Sequence, residues 1–253
     1  MAPTVLLLHG FTNTGASWDP VVAALGERYR ALAPDIRGHG SASGARPVTL
    51  EAVLGDVAAA APERFTLVGY SQGGRIALHA ALALGERVER LVLVGASPGI
   101  ADQEERAARR DADETLAREI ERQSIEEFAT RWAATPVLAG QLQEVREAAH
   151  ADRLRSTPAG LAAALRGLGT GALPPLWARL GELSMPVALI AGKQDDKFRA
   201  IAERMARAIP RPELVVVAGA GHAVHLEQPA RVAAEIERRV NRTATVTLKR
   251  EAE

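Results

Sequence analysis

Short apolar runs and stretches of helical spacing alternate along the first third of the chain. Thr4–Leu8 is a continuous apolar run ending at His9-Gly10, which predicts a buried strand. Residues 16–25 have helical spacing, with Ser17 as a candidate N-cap. A second strand is predicted over 30–34, then a Gly-rich turn, Arg37-Gly38-His39-Gly40, then a helix over 49–60 capped by Thr49. The apolar run 65–68 is followed at once by a helix over 73–84, and 91–94 predicts the next strand.

The pattern changes between 99 and 184. Charged residues crowd 101–131, apolar positions such as Leu116, Ile120 and Phe128 keep helical spacing, and Pro136, Pro158, Pro174 and Pro175 punctuate the rest. This predicts a helical insertion. Strands then return at 187–191 and 214–217, with helices at 198–209 and 229–240. The tail 243–249 alternates Thr with Val and Leu, so an edge strand and a trailing end both remain open. Such alternation of strands and helices implies an α/β class with a mostly parallel sheet covered on both faces. Right-handed crossovers place the strand C-termini on one edge, where open sheets bind ligands. The expected organisation is an α/β core made of 1–98 and 185–253, with 99–184 as a helical cap.

Composition narrows the chemistry. The 253 residues are 47% hydrophobic and 25% charged, with 31 basic and 31 acidic residues and a net charge of zero. A nucleic-acid partner would call for a basic excess, so none is expected. Without cysteine, disulfides, thiolate metal sites and a Cys nucleophile are excluded. No apolar run is long enough for a membrane span, and Met1-Ala2-Pro3-Thr4 carries no basic leader, so the expected location is cytoplasmic. Only Lys193, Lys197 and Lys249 are lysines, so 28 of the 31 basic residues are Arg, which lowers the information in any single Arg.

The strongest motif is Gly69-Tyr70-Ser71-Gln72-Gly73, a G-x-S-x-G between a predicted strand and a predicted helix. In that context the Ser sits on a sharp turn, exposed at the top of the sheet. A serine hydroxyl needs a partner to take its proton. In this fold the chain order is Ser, then acid, then His. His222, in the loop after 214–217, reaches the same edge; His225 is the nearest rival and otherwise a packing residue. Gly192-Lys193-Gln194-Asp195-Asp196 follows the preceding strand. Asp195 is preferred as the acid on its Gly-x-x-Asp spacing, leaving Asp196 to cap the next helix. The oxyanion hole is expected from the backbone N–H groups of Gln72 and Phe11.

With these residues in place the chain resembles the α/β-hydrolase superfamily over nearly its whole length. Leu8-His9-Gly10-Phe11-Thr12, Gly15-Ala16-Ser17-Trp18, the elbow through Gly74-Arg75, and Leu165-Arg166-Gly167-Leu168-Gly169-Thr170-Gly171 are closer still to one family. So are Pro175-Leu176-Trp177, Lys197-Phe198 and the run from Gly221-His222 to Gln228-Pro229. They are similar to the 2-succinyl-6-hydroxy-2,4-cyclohexadiene-1-carboxylate synthases of menaquinone biosynthesis. Only Thr4–Leu8 precedes the His-Gly loop, where the superfamily usually has two strands, so a sheet of about six is expected.

The resemblance implies a lyase that releases pyruvate from a substrate with three carboxylates, using the triad as general base with no metal and no organic cofactor. It implies a small anionic molecule as partner, no membrane, and a monomer or small homo-oligomer. Carboxylates call for Arg, and the family places such Arg in two regions of the insertion. Arg75 is the first candidate; Arg106, Arg109 and Arg110 form one further cluster, and Arg153 and Arg155 another. Tyr70 and Trp132 are candidate pocket walls. Two other readings stand beside this one. One is a serine carboxylesterase or carbon–carbon bond hydrolase with the same triad; the other is a non-catalytic ligand-binding protein on the hydrolase fold.

Overall fold

In a computed structural model, residues 2–135, 138 and 140–250 are described, excepting the side chains of 239 and 241–250. Six strands form one sheet: β1 (Thr4–Leu8), β2 (Arg30–Leu32), β3 (Phe65–Tyr70), β4 (Val88–Val94), β5 (Val187–Gly192) and β6 (Pro212–Val217). Their order is β2-β1-β3-β4-β5-β6. Every neighbouring pair is parallel, so all strands end on one edge.

The central strands are buried on both faces, which is why they read as unbroken apolar runs rather than alternating ones. Successive side chains still point to opposite sides. Leu6, Leu8, Phe65, Leu67, Leu91, Leu93 and Leu189 join one core. On that face pack α2 (Leu50–Ala60), α3 (Gln72–Leu84) and α8 (Asp196–Ala208). Val5, Leu7, Val68, Val92, Val94 and Ile190 face the other way. They meet α1 (Asp19–Leu25), the short α9 (Val224–Glu227) and α10 (Pro229–Arg250). Burial of side chains such as Leu and Val is worth about 1.5–3 kcal/mol each, so the two-sided core holds the sheet and, with it, the edge that carries the site.

Between β4 and β5 lie α4 (Gln103–Glu121), α5 (Ile125–Ala133), α6 (Gln143–Arg153) and α7 (Pro158–Leu168), with no strand among the described residues. They gather a small core of their own from Ala117, Ile120, Phe128, Leu161, Ala162 and Leu165, against which Phe11 and Trp132 pack.

Several boundaries differ from expectation. Ser17 caps nothing: Thr14 accepts the Ala16 N–H and opens a 3-10 turn, Gly15–Trp18, and α1 starts after it. The second strand ends at Leu32, two residues early, while β4 begins three residues earlier than its apolar run, at Val88. There β3 pairs through an irregular register, Phe65 with Val88 and Thr66 with Arg90, which accommodates the polar Glu89 and Arg90. The tail forms no edge strand as far as Arg250, because α10 continues through it; β-propensity is a weak prior when no strand partner is met. Residues 251–253 lie outside the described residues.

Candidate active site

Ser71 sits between β3 and α3 at φ 50° and ψ −109°. That left-handed conformation costs a non-glycine residue on the order of 1–3 kcal/mol and persists only where the surroundings dictate it. Its N–H donates to Val94 O at 2.9 Å, and its C=O accepts from Arg75 N at 3.1 Å. The turn is tight because Gly73 lies against β1: a Cβ there would meet Leu8 O at 2.3 Å and His9 O at 2.4 Å. Gln72 is the first residue of α3, so its N–H has no carbonyl a turn behind it. Neither that N–H nor the Phe11 N–H donates to a backbone carbonyl among the described residues.

His222 Nε2 lies 3.2 Å from Ser71 Oγ, and Nδ1 lies 2.7 Å from Asp195 Oδ2. Asp195, and not Asp196, is therefore the carboxylate that meets His222. It is also the cap of α8, since Oδ1 accepts the Phe198 N–H at 3.1 Å. The expectation that Asp196 supplies the cap is corrected: its side chain is 85% exposed and pairs with Arg199. Burial raises the Asp195 carboxyl, but the hydrogen bond from His222, its charge, the Phe198 N–H and Lys197 together hold it below the usual value.

The His222 ring is packed by Phe198, at 4.3 Å between centroids, and Tyr70, at 5.3 Å. Gly95, at φ 53°, leaves it room, because a Cβ there would lie 3.0 Å from the ring. Glu227 fixes the loop on both sides of the histidine, accepting from Gly221 N at 2.6 Å and Ala223 N at 3.1 Å. His225 is the packing residue, fully buried between Tyr70 and Trp18. His9 is held as a neutral imidazole, accepting Ile36 N–H on Nε2 and donating from Nδ1 to Gly10 O; burial lowers its pKa.

A cavity at Ser71 is lined by Phe11, Thr12, Asn13, Tyr70, Trp132, Leu138, Arg153 and His222. Of the arginines expected from sequence, Arg153 reaches it. Its Nε donates to Thr12 Oγ1 at 3.3 Å, while NH1 is buried with no partner among the described residues. Arg155 does not: it is exposed and lines a separate cavity with Ser17 and Pro20. Arg106 donates to Ile100 O, Arg109 pairs with Asp113, and Arg110 donates to Gly171 O. Arg75 is 6% exposed, and its Nε has no partner among the described residues. Burial first, and then the charge of Arg109, lower its pKa to about 10. It lies one turn along α3 from Ser71 but is not among the lining residues named above. Trp132 meets Phe11 edge-on at 5.4 Å. Burial pushes the Tyr70 phenol up. Among the described residues no cluster of His, Asp and Glu is placed to hold a metal ion.

Sequence reasoning did not single out Glu227, Asn13 or Asp152. Only Glu227 left a local trace, five residues beyond His222; the other two act across a wide gap in sequence.

This sheet, elbow and Ser-His-Asp alignment define an α/β hydrolase, and a family model described as the alpha/beta hydrolase family matches residues 5–235. The 2-succinyl-6-hydroxy-2,4-cyclohexadiene-1-carboxylate synthase of Salmonella schwarzengrund (strain CVM19633) is 34% identical over 239 residues, covering 91% of each chain. A Bacillus subtilis (strain 168) protein, provisionally named for the same synthase, is 37% identical over 89% of this chain and 85% of its own. A structure of MenH from S. aureus superposes with a TM-score of 0.88 at 28% identity, covering 93% of this chain and 92% of that one. The chain belongs to the alpha/beta hydrolase family and, within it, to the family of these synthases.

Proposed function

We propose that this protein is a carbon–oxygen lyase of menaquinone biosynthesis. It eliminates pyruvate from 2-succinyl-5-enolpyruvyl-6-hydroxy-3-cyclohexene-1-carboxylate and leaves 2-succinyl-6-hydroxy-2,4-cyclohexadiene-1-carboxylate. The observation that carries the reading is the meeting, at one cavity, of an aligned Ser71-His222-Asp195 relay and Arg153, a buried cation whose NH1 has no hydrogen-bond partner among the described residues. A buried guanidinium is costly unless an anion joins it, and this substrate brings three carboxylates. The relatives that carry the synthase name support the same assignment.

The residues suit proton abstraction. His222, oriented by Asp195, takes the Ser71 proton. Ser71 Oγ then removes the ring proton α to the succinyl ketone. The C–H electrons form a dienolate whose oxygen is held by the Phe11 and Gln72 N–H groups, such a donor being worth roughly 2.7–4 kcal/mol. Collapse of the dienolate breaks the ring C–O bond and expels the enolpyruvyl group. That group takes the proton back from His222 and becomes pyruvate. Water is not a reactant, and the steps use no metal or organic cofactor. The reading makes 99–184 a cap over a small anionic substrate and the compartment the cytoplasm.

Incubation with the enolpyruvyl precursor tests this. Stoichiometric pyruvate, no solvent oxygen in the ring product and no covalent adduct on Ser71 are expected. An acyl adduct on Ser71 with fast p-nitrophenyl acetate turnover and no pyruvate would make the protein an esterase instead.

A further inference from the structure

The loop that carries Phe11 is tied down by α6, a helix more than a hundred residues away in the chain. Asp152, in the last turn of α6, takes the Thr14 N–H on Oδ2 at 2.9 Å and the Thr14 hydroxyl on Oδ1. Oδ2 also receives Asn13 Nδ2 at 3.4 Å. The next residue, Arg153, holds Thr12 Oγ1. On the far side Asp35 accepts the Gly15 N–H at 2.7 Å. Residues 12 to 15 are thus held one by one, three of them by two adjacent residues of α6. The loop needs it: Thr12, next to Phe11, stands at φ 70°, a conformation rare for a β-branched residue.

Asp152 is badly placed for its own helix. A carboxylate at a helix C-terminus opposes the macrodipole, and this one is only 8% exposed. Both costs are offset by the loop donors. Those donors occupy the carboxylate, while the Arg153 guanidinium turns to Thr12 and the cavity.

We propose that Asp152 is a positioning residue for the elimination. Through Asn13 and Thr14 it sets the direction of the Phe11 N–H toward the developing oxyanion, and it makes the docking of α6 part of the oxyanion hole. The proposal rests on the lyase reading for its substrate but not for its geometry.

The test uses Asp152→Asn and Asp152→Ala in the full chain. Pyruvate release is measured per active site, alongside the rate at which Ser71 is phosphonylated by a fluorophosphonate, a reaction that also needs the oxyanion hole but not the substrate. The expected result is a kcat lowered about 10-fold in Asp152→Asn and about 100-fold in Asp152→Ala, with KM changed less than 3-fold and phosphonylation slowed in the same order. A purely structural role would lower the melting temperature and leave kcat per titrated site and phosphonylation at wild-type values, and that outcome overturns the proposal. The isosteric Asn variant decides the case if the Ala chain does not fold. If wild type releases no pyruvate while both variants phosphonylate slowly, the positioning role stands and the lyase reading falls.

Discussion

Ser71 Oγ stands 3.2 Å from His222 Nε2 on a residue held at φ 50°. The serine position therefore stores backbone strain that glycine would not feel. Ser71→Gly should abolish pyruvate release and also stabilise the fold by about 1 kcal/mol, or roughly 2–4 °C for a chain of this size. Calorimetry of the two chains checks this; a lower midpoint for the variant would mean that the turn is unstrained.

Arg153 separates binding from stability. Arg153→Met keeps the apolar stem and removes a buried charge, so the melting temperature should hold or rise. Binding should suffer, because a hydrogen bond between charged groups is worth about 1.5–3 kcal/mol. Steady-state kinetics should show kcat/KM lower by about 10- to 150-fold.

Arg75→Met should behave alike on the stability axis, since burial already lowers the pKa of this guanidinium to about 10. Because Arg75 is not among the residues lining the cavity at Ser71, its kinetic effect should be smaller than that of Arg153→Met. Unchanged kcat/KM would remove Arg75 from the set of carboxylate partners.

Acid should weaken the fold before it protonates most carboxylates. Burial lowers His39 and His225 from 6.5 to about 3. Between those values the unfolded chain binds protons that the folded chain refuses, so stability falls as pH drops from about 6.5 toward 3 and levels off below. Asp35 and Asp195, both lowered from 3.8, add a loss at the acid end of that range. His225 has both ring nitrogens unpartnered among the described residues and lies between Trp18 and Tyr70. His225→Phe should match or exceed wild type at pH 7 and lose less of its melting temperature between pH 6.5 and 4.

The strands were legible because a parallel strand buried on both faces must be a continuous apolar run, as Thr4–Leu8 and 187–191 are. The elbow was legible because its glycines answer to contacts with the neighbouring strand, such as Gly73 against Leu8 O. Ser71, His222 and Asp195 follow from their places at strand ends. The arginines were not legible. Which of Arg153 and Arg155 faces Ser71 depends on how the C-terminal end of α6 is placed, and that end is set by Asp152 meeting Thr14 across 138 positions. Nor does a sequence announce that one carboxylate serves two elements, which is why Asp195 and Asp196 were expected to divide the roles of acid and cap.

That double service has a consequence for the histidine. An asparagine at 195 would have one acceptor and one donor where the aspartate has two acceptors. The Phe198 N–H at the start of α8 demands the acceptor, so the amide NH2 would turn to His222 Nδ1 and require a lone pair there. The imidazole proton would then sit on Nε2, facing Ser71, and the ring could no longer accept the serine proton. In such a variant the first turn of α8, and not the histidine, would choose the tautomer at position 222.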